Sequence, residues 1–113
     1  MPPDAVVHLK KEAHVRGIDS NRFIFSPKCA KDEHVNRCYL ADLSLDNPVT
    51  NGHTTSCDLL WSGVPLITMP GSCAMPSRVA SSISVALGCP EMVVHSYHEY
   101  EERAVSYASE YSL

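Results

Sequence analysis

The stretch LSLDNPVTNGHTTSCDLLWSGVPLITM, residues 43–69, decides the fold. It opens on a short apolar run, Leu43-Ser-Leu-Asp46, which the turn pair Asn47-Pro48 stops. A loop over 48–53 containing Asn51-Gly52 leads into a segment of helical character from about Thr54 to Trp61. Gly63 closes that helix, and Val64-Pro-Leu-Ile-Thr-Met69 is a second apolar run. Both strand candidates are continuous apolar runs without polar alternation, the pattern of parallel strands covered on both faces.

The same alternation extends in both directions. Upstream, Asp4 is placed to cap a helix reaching about Arg16, with Val6, Leu9 and Ala13 on one side and Gly17 as its stop. Arg22-Phe-Ile-Phe25 reads as a buried strand ended by Ser26-Pro27. A helix from about Lys31 to Leu40 follows, with Val35, Cys38 and Tyr39 inward. Downstream, Pro70-Gly71 turns the chain into a helix from about Ser77 to Leu87, with Val79, Ile83 and Leu87 at four-residue spacing and Gly88 after it. Glu91-Met-Val-Val94 predicts a short fourth strand. Ser96-x-x-Glu99 is a capping box for a last helix carrying Tyr97, Tyr100, Ala104 and Tyr107 on one stripe. The fold class expected is α/β, a doubly wound parallel sheet forming one half-domain. In such sheets ligands sit beyond the carboxyl ends of the strands, so segments 26–37, 46–58 and 70–78 are expected to gather at one edge.

Composition narrows the function. The 113 residues, 44% hydrophobic and 19% charged, suit one small globular domain over 1–113. Nine basic against thirteen acidic side chains give −4, which argues against general nucleic-acid binding but leaves room for a local cationic pocket. No apolar run approaches the about 18 residues of a membrane span, and Met-Pro-Pro-Asp shows no signal-peptide pattern. The five cysteines include no CxxC pair, and the six histidines stand at no zinc-finger spacing from them. They read as free thiols of a reducing compartment, with no metal site.

Two constellations carry candidate chemistry. In Asn51-Gly-His-Thr-Thr-Ser-Cys-Asp58 a glycine, an imidazole and two hydroxyls stand at a helix start that follows a strand. Free backbone N–H groups and the positive end of the helix dipole attract phosphate there. The same string also reads as an ordinary helix cap, because Thr55-x-x-Asp58 matches a capping box; the two are compatible if Asp58 also accepts ribose hydroxyls. It is neither a Walker P-loop nor a GxGxxG fingerprint. In Lys31-Asp-Glu-His-Val-Asn-Arg37, residues at i, i+3 and i+6 put Lys31, His34 and Arg37 on one polar helix side. A cation, a flat ring and a forked donor suit a nucleotide; a solvated face with a Glu33–Arg37 pair is the plainer alternative. His8, His14, His95 and His98 read as surface residues. Arg78 belongs either at the surface or at the ligand edge, and Trp61 in the core or against a neighbour. No catalytic triad is assignable.

Taken together, these residues resemble the C-terminal, nucleotide-binding lobe of protein O-GlcNAc transferases, enzymes of the GT-B fold. The matching elements are Phe25-Ser-Pro27, Lys31-Asp-Glu-His-Val-Asn-Arg37, Leu40-Ala-Asp42, Leu45-Asp-Asn-Pro48, Asn51-Gly-His-Thr-Thr55, Asp58-Leu-Leu-Trp-Ser-Gly-Val-Pro65, Thr68-Met-Pro-Gly71, Ser77-Arg-Val-Ala80 and Glu99-Tyr-Glu-Glu102. The resemblance implies a Rossmann-like half of a GT-B enzyme that binds UDP or UDP-GlcNAc. It puts the backbone around Cys29 and Ala30, with Arg37, at the uracil and His34 stacked near it. Val35 and Asn36 lie within the same binding segment; Asn36 replaces a second basic residue of the family. Lys31 and Asp58 would contact the ribose, and His53, Thr54 and Thr55 the diphosphate.

The family transfers N-acetylglucosamine to Ser or Thr hydroxyls of nuclear and cytoplasmic proteins, with inversion and without a metal. The implied partners are acceptor proteins and the N-terminal catalytic lobe, which this sequence lacks along with the family's tetratricopeptide repeats; nucleic acid and membrane are not expected. A fragment of this kind is expected to bind UDP but not to transfer sugar alone. The alternatives are a lobe of the related protein O-fucosyltransferases, which use a GDP-sugar, a non-catalytic nucleotide-binding or docking module, and an α/β domain whose apparent site is only capping.

Overall fold

The computed structural model describes residues 2–110. They form two compact units, one running to Ala30 and one starting at Lys31.

The first unit is built on helix α1, Pro3–Val15. Proline at its first turn supplies a preset φ, and Asp4 lies in the first turn, where its charge meets the helix dipole without making a side-chain cap bond. Ile18 N–H reaches back to the Ala13 carbonyl at 2.9 Å, and Gly17 takes φ +79°. This left-handed closure recurs with Gly63 and Gly88, so all three glycines read as stops take the conformation that a Cβ disfavours. The strand expected at 22–25 does not form. Arg22 is drawn into a 3-10 turn, Ser20–Arg22, whose start is capped by the Asp19 carboxylate accepting Asn21 N–H at 2.9 Å. Phe23 and Phe25 then stack on each other at 6.5 Å, and Ile24 is 88% exposed. A buried strand needs ladder partners, and here the aromatic rings use each other.

The second unit carries the α/β pattern. Helices α2 (Lys31–Cys38), α3 (Thr54–Trp61), α4 (Val79–Ala86) and α5 (Tyr97–Glu110) alternate with strands β1 (Ser44–Leu45) and β2 (Leu66–Ile67). The strands are parallel, with Ser44 opposite Leu66 and Leu45 opposite Ile67. A parallel bridge between Thr68 and Val93 extends the sheet on the other side of β2. The core is Val64, Leu66, Ile67, Thr68 and Val94, with Ala80 and Ser84 of α4.

The ladders are shorter than the apolar runs, for local reasons. Val64 N–H is used to close α3 on the Leu59 carbonyl, and Pro65 has no N–H, so regular pairing starts at Leu66. The strand expected at 91–94 shrinks to one bridge because Pro90 opens a 3-10 turn, Pro90–Met92. Helix α2 ends at Cys38, which leaves Tyr39 outside it and exposed. On α4 the buried face is Ala80, Ser81 and Ser84 rather than the expected stripe: Val79 and Ile83 are half-buried and Leu87 is exposed. Small residues permit close approach, and Ser84 satisfies its buried hydroxyl on the Ala80 carbonyl at 2.9 Å.

Helix α5 starts as a capping box, with Glu99 N–H donating to Ser96 Oγ at 3.1 Å; the Glu99 carboxylate reaches His95 N–H at 2.9 Å, one residue before the cap. Its inward stripe holds Tyr100, Ala104 and Tyr107, while Tyr97, at the first position of the helix, is exposed. Trp61 is 82% exposed, so it does not enter the core. Among the described residues no helix is long and apolar enough to cross a membrane.

Candidate functional site

The carboxyl end of β1 feeds a turn that is fixed before α3 begins. Gly52 N–H donates to Asp46 Oδ1 at 2.9 Å, and Ser56 Oγ donates to the Gly52 carbonyl at 2.6 Å. A Cβ at position 52 would stand 2.7 Å from Ser56 Oγ, so a side chain there would have to push that hydroxyl aside. Helix α3 starts at Thr54 with His53 at the N-cap and no side-chain cap bond. The Thr55-x-x-Asp58 capping box therefore does not form: Thr55 lies inside the helix, and the Asp58 side chain is engaged elsewhere. Backbone N–H groups of the first turn have no intrahelical partner, and those of Thr54, Thr55 and Ser56 have none among the described residues. The exposed side chains of His53, Thr54 and Thr55 surround this positive helix end.

Asp58 sits one turn further along α3, on the same face as Thr54. Two side chains of α2 converge on it. Lys31 Nζ donates to Asp58 Oδ1, and His34 Nε2 stands 3.4 Å from Oδ2. Cys38 Sγ lies 3.9 Å beyond the same His34 nitrogen. The Asp58 side chain is only 13% exposed and that of Lys31 63%, so the carboxylate is held while the ammonium remains in solvent. Such a pair adds at most about 1 kcal/mol to stability; its use is to place an acceptor and a cation together.

Arg37 is half-buried on α2. Val35 is half-buried and its carbonyl accepts Ser62 Oγ at 3.3 Å, which fastens α2 to the end of α3, and Asn36 is exposed. Cys29 is half-buried and Ala30 exposed at the end of the irregular segment 23–30 of the first unit. The structure thus brings Lys31, His34 and Asp58 into contact and sets Thr54 one turn away.

The loop after β2 braces the turn from its other side. Asn51 N–H donates to the Pro76 carbonyl at 2.8 Å, and His53 Nε2 lies 3.5 Å from the same oxygen. Arg78 is exposed and donates from Nη1 to the Gly71 carbonyl at 2.6 Å, closing its own loop. An open groove of about 850 Å³ lies along this loop and α4, lined by Pro70, Met75, Ile83, Val93 and His95 among others. It includes none of the residues around Asp58, and its walls are mostly apolar; the chemistry-bearing cluster is the better candidate.

The residues that hold this arrangement escape a reading of the sequence. Asp46 is buried; its Oδ2 accepts the Thr68 hydroxyl at 2.8 Å, and its backbone carbonyl accepts the Tyr100 hydroxyl at 2.8 Å. Burial, and secondly the Asp46 charge, push the Tyr100 phenol up to about 12. Asn51, read only as a turn residue, accepts Ala80 N–H on its side chain at 3.1 Å and so caps α4. The available signal was an acidic residue at the end of an apolar strand, directly before a turn.

Comparison with known proteins agrees with this architecture. The description of glycosyl transferase family 41 matches residues 1–113. A UDP-N-acetylglucosamine–peptide N-acetylglucosaminyltransferase of Caenorhabditis elegans is 49% identical over 87% of this chain and 8% of its own length. The probable enzyme of the same name, SEC, from Arabidopsis thaliana is 44% identical over 95% of the chain and 11% of its own length. A solved O-GlcNAc transferase of Thermobaculum terrenum, the K341M mutant, superposes with a TM-score of 0.82 at 30% identity, covering 94% of this chain and 20% of that one. The half-domain is therefore a Rossmann-like part of an O-GlcNAc transferase-type fold, and the chain spans about a tenth of the length of these curated relatives. With its full length matched, the chain belongs to glycosyl transferase family 41.

Proposed function

We propose that this chain is the nucleotide-binding part of a protein O-GlcNAc transferase and holds the UDP portion of UDP-GlcNAc. The observation that carries the reading is the convergence of Lys31 and His34 on Asp58, one helical turn from the open N-terminus of α3. Asp58 accepts and Lys31 donates to ribose hydroxyls, and His34 lies beside the uracil. Arg37 serves the base, with Val35 and Asn36 in the same segment. His53, Thr54, Thr55 and the first N–H groups of α3 hold the diphosphate.

The reaction sets the requirement. A Ser or Thr hydroxyl oxygen attacks the anomeric carbon from the face opposite the leaving group, the bond from that carbon to the phosphate oxygen breaks, the hydroxyl proton is released to solvent or to the departing phosphate, and UDP departs with inversion. Negative charge grows on the departing phosphate, where preorganised donors do most good. The helix end and the neighbouring side chains supply those donors without a metal, so a chelator leaves UDP binding unchanged. Alignment of acceptor and donor can be worth about 7–11 kcal/mol, and it requires the rest of the catalytic region. The 113 residues alone bind UDP and do not turn over. The unpaired state of all five cysteines supports residence in the cytoplasm or nucleus.

Calorimetry tests the reading. UDP binds at millimolar concentration or tighter and GDP more weakly, and Lys31→Ala and His53→Ala each weaken UDP. Equal binding of GDP, or no effect of either substitution, contradicts it.

A further inference from the structure

We infer that Asp46 is a positioning residue for the diphosphate turn: it fixes the start of α3 and decides which backbone donors face the ligand. This rests on the nucleotide reading above. Asp46 stands at the carboxyl end of β1, 9% exposed, and its carboxylate has no cation among the contacts described. Each oxygen instead takes one donor: Oδ1 takes Gly52 N–H at 2.9 Å, and Oδ2 takes the Thr68 hydroxyl at 2.8 Å. Thr68 is fully buried beside β2, so the carboxylate is oriented by the centre of the sheet. Tyr100 of α5 donates to the Asp46 carbonyl at 2.8 Å and holds the same residue from a second element.

The consequence is specific. A buried carboxylate needs its donors, since leaving such a group unpaired is costly. Meeting that need takes Gly52 N–H out of the set available to a phosphate. The N–H groups offered to a phosphate then begin beyond Gly52, with those of Thr54 and Thr55 at the open helix end. Asp46 touches no ligand in this account; it acts through Gly52.

Asp46 should therefore affect the diphosphate end of the ligand and not the nucleoside end. Ligand-detected NMR on the 113-residue chain with UDP and with uridine separates the two. Asp46→Ala is expected to weaken UDP by about tenfold, equivalent to about 1.4 kcal/mol, while uridine affinity stays within about twofold. Asp46→Asn, which keeps an acceptor for Gly52 and a partner for Thr68, restores most of the UDP affinity. Should Asp46→Ala not fold, Thr68→Val tests the same tether from its far end and is expected to weaken UDP, and not uridine, by a smaller factor. In the unsubstituted chain, the Gly52 amide should stay protected from exchange and keep its shift on adding UDP, while the Thr54 and Thr55 amides move. Equal loss of UDP and uridine in the variants, unchanged UDP binding, or a Gly52 amide that moves most, overturns the positioning role while leaving the nucleotide reading intact. Failure of the unsubstituted chain to bind UDP overturns both.

Discussion

Two hydrogen-bonded clusters flank α3, and they are built on opposite principles. At Asp58 the partners are long, partly solvated side chains from α2, one of them a lysine in water. At Asp46 the partners are a backbone amide and a buried hydroxyl, with a phenol from α5 on the carbonyl. The first cluster contributes little to stability, because exposed ion pairs are screened and cost side-chain entropy. Its groups stay available to a ligand. The second offers no exposed side-chain donor and sets the shape of the turn. In the proposed nucleotide mode, the residues that meet the ligand are separate from those that hold the backbone for them.

Substitutions can break that contrast, and the largest effect is expected on the buried side. Asn51→Ala strands Ala80 N–H at the buried start of α4 and frees the Asn47 carbonyl. Urea denaturation should show a loss of about 1–3 kcal/mol. A loss as small as that of a surface substitution would show that the brace between the two loops is dispensable.

Tyr100→Phe removes one hydrogen bond and should cost about 1 kcal/mol at neutral pH. It also changes the alkaline limb. With the folded phenol raised from its ordinary 10 to about 12, its contribution is fully present below pH 10. Above pH 10 the unfolded chain ionises first, so that contribution falls as pH rises towards 12. The phenylalanine variant lacks this component, so the stability difference between the two proteins should shrink across that window. A constant difference would mean that the hydroxyl is not buried against Asp46.

The smallest stability effect is expected at Lys31→Ala, under about 1 kcal/mol by denaturation, together with a clear loss of UDP affinity. A large loss of stability would erase the distinction between the two clusters.

The difference also explains what the sequence disclosed. Lys31, His34, His53, Thr54, Thr55 and Asp58 could be selected because their types and helical spacing carry chemistry that is visible locally. The three helix-stopping glycines were legible for the same reason, since a left-handed residue is a local requirement. Asp46 was not, because its partners Thr68 and Tyr100 lie 22 and 54 residues away and leave no periodic trace. The alternation of helix and strand was legible as a class, but strand extent was not. The run at 22–25 has the composition of a strand, yet Asp19 caps a 3-10 turn across its start and the two phenylalanines stack on each other. On α4 the four-residue apolar spacing pointed to Leu87, whereas close packing selected Ala80 and Ser84, which hydropathy alone does not rank as core. Thr55-x-x-Asp58 does not act as a cap because the helix already begins at Thr54 with His53 as its N-cap, which puts Thr55 inside the helix, and Asp58 pairs with Lys31.

In the proposed binding mode one nucleotide spans the α2 cluster and the open end of α3. The most direct measurement is a UDP titration of the isotope-labelled chain, followed by two-dimensional amide and imidazole NMR. A single saturable process should shift Lys31, His34, His53, Thr54, Thr55 and Asp58 together and leave the α4 groove at Ile83 and His95 unmoved. Saturable shifts confined to that groove, or no shifts at millimolar UDP, would contradict it.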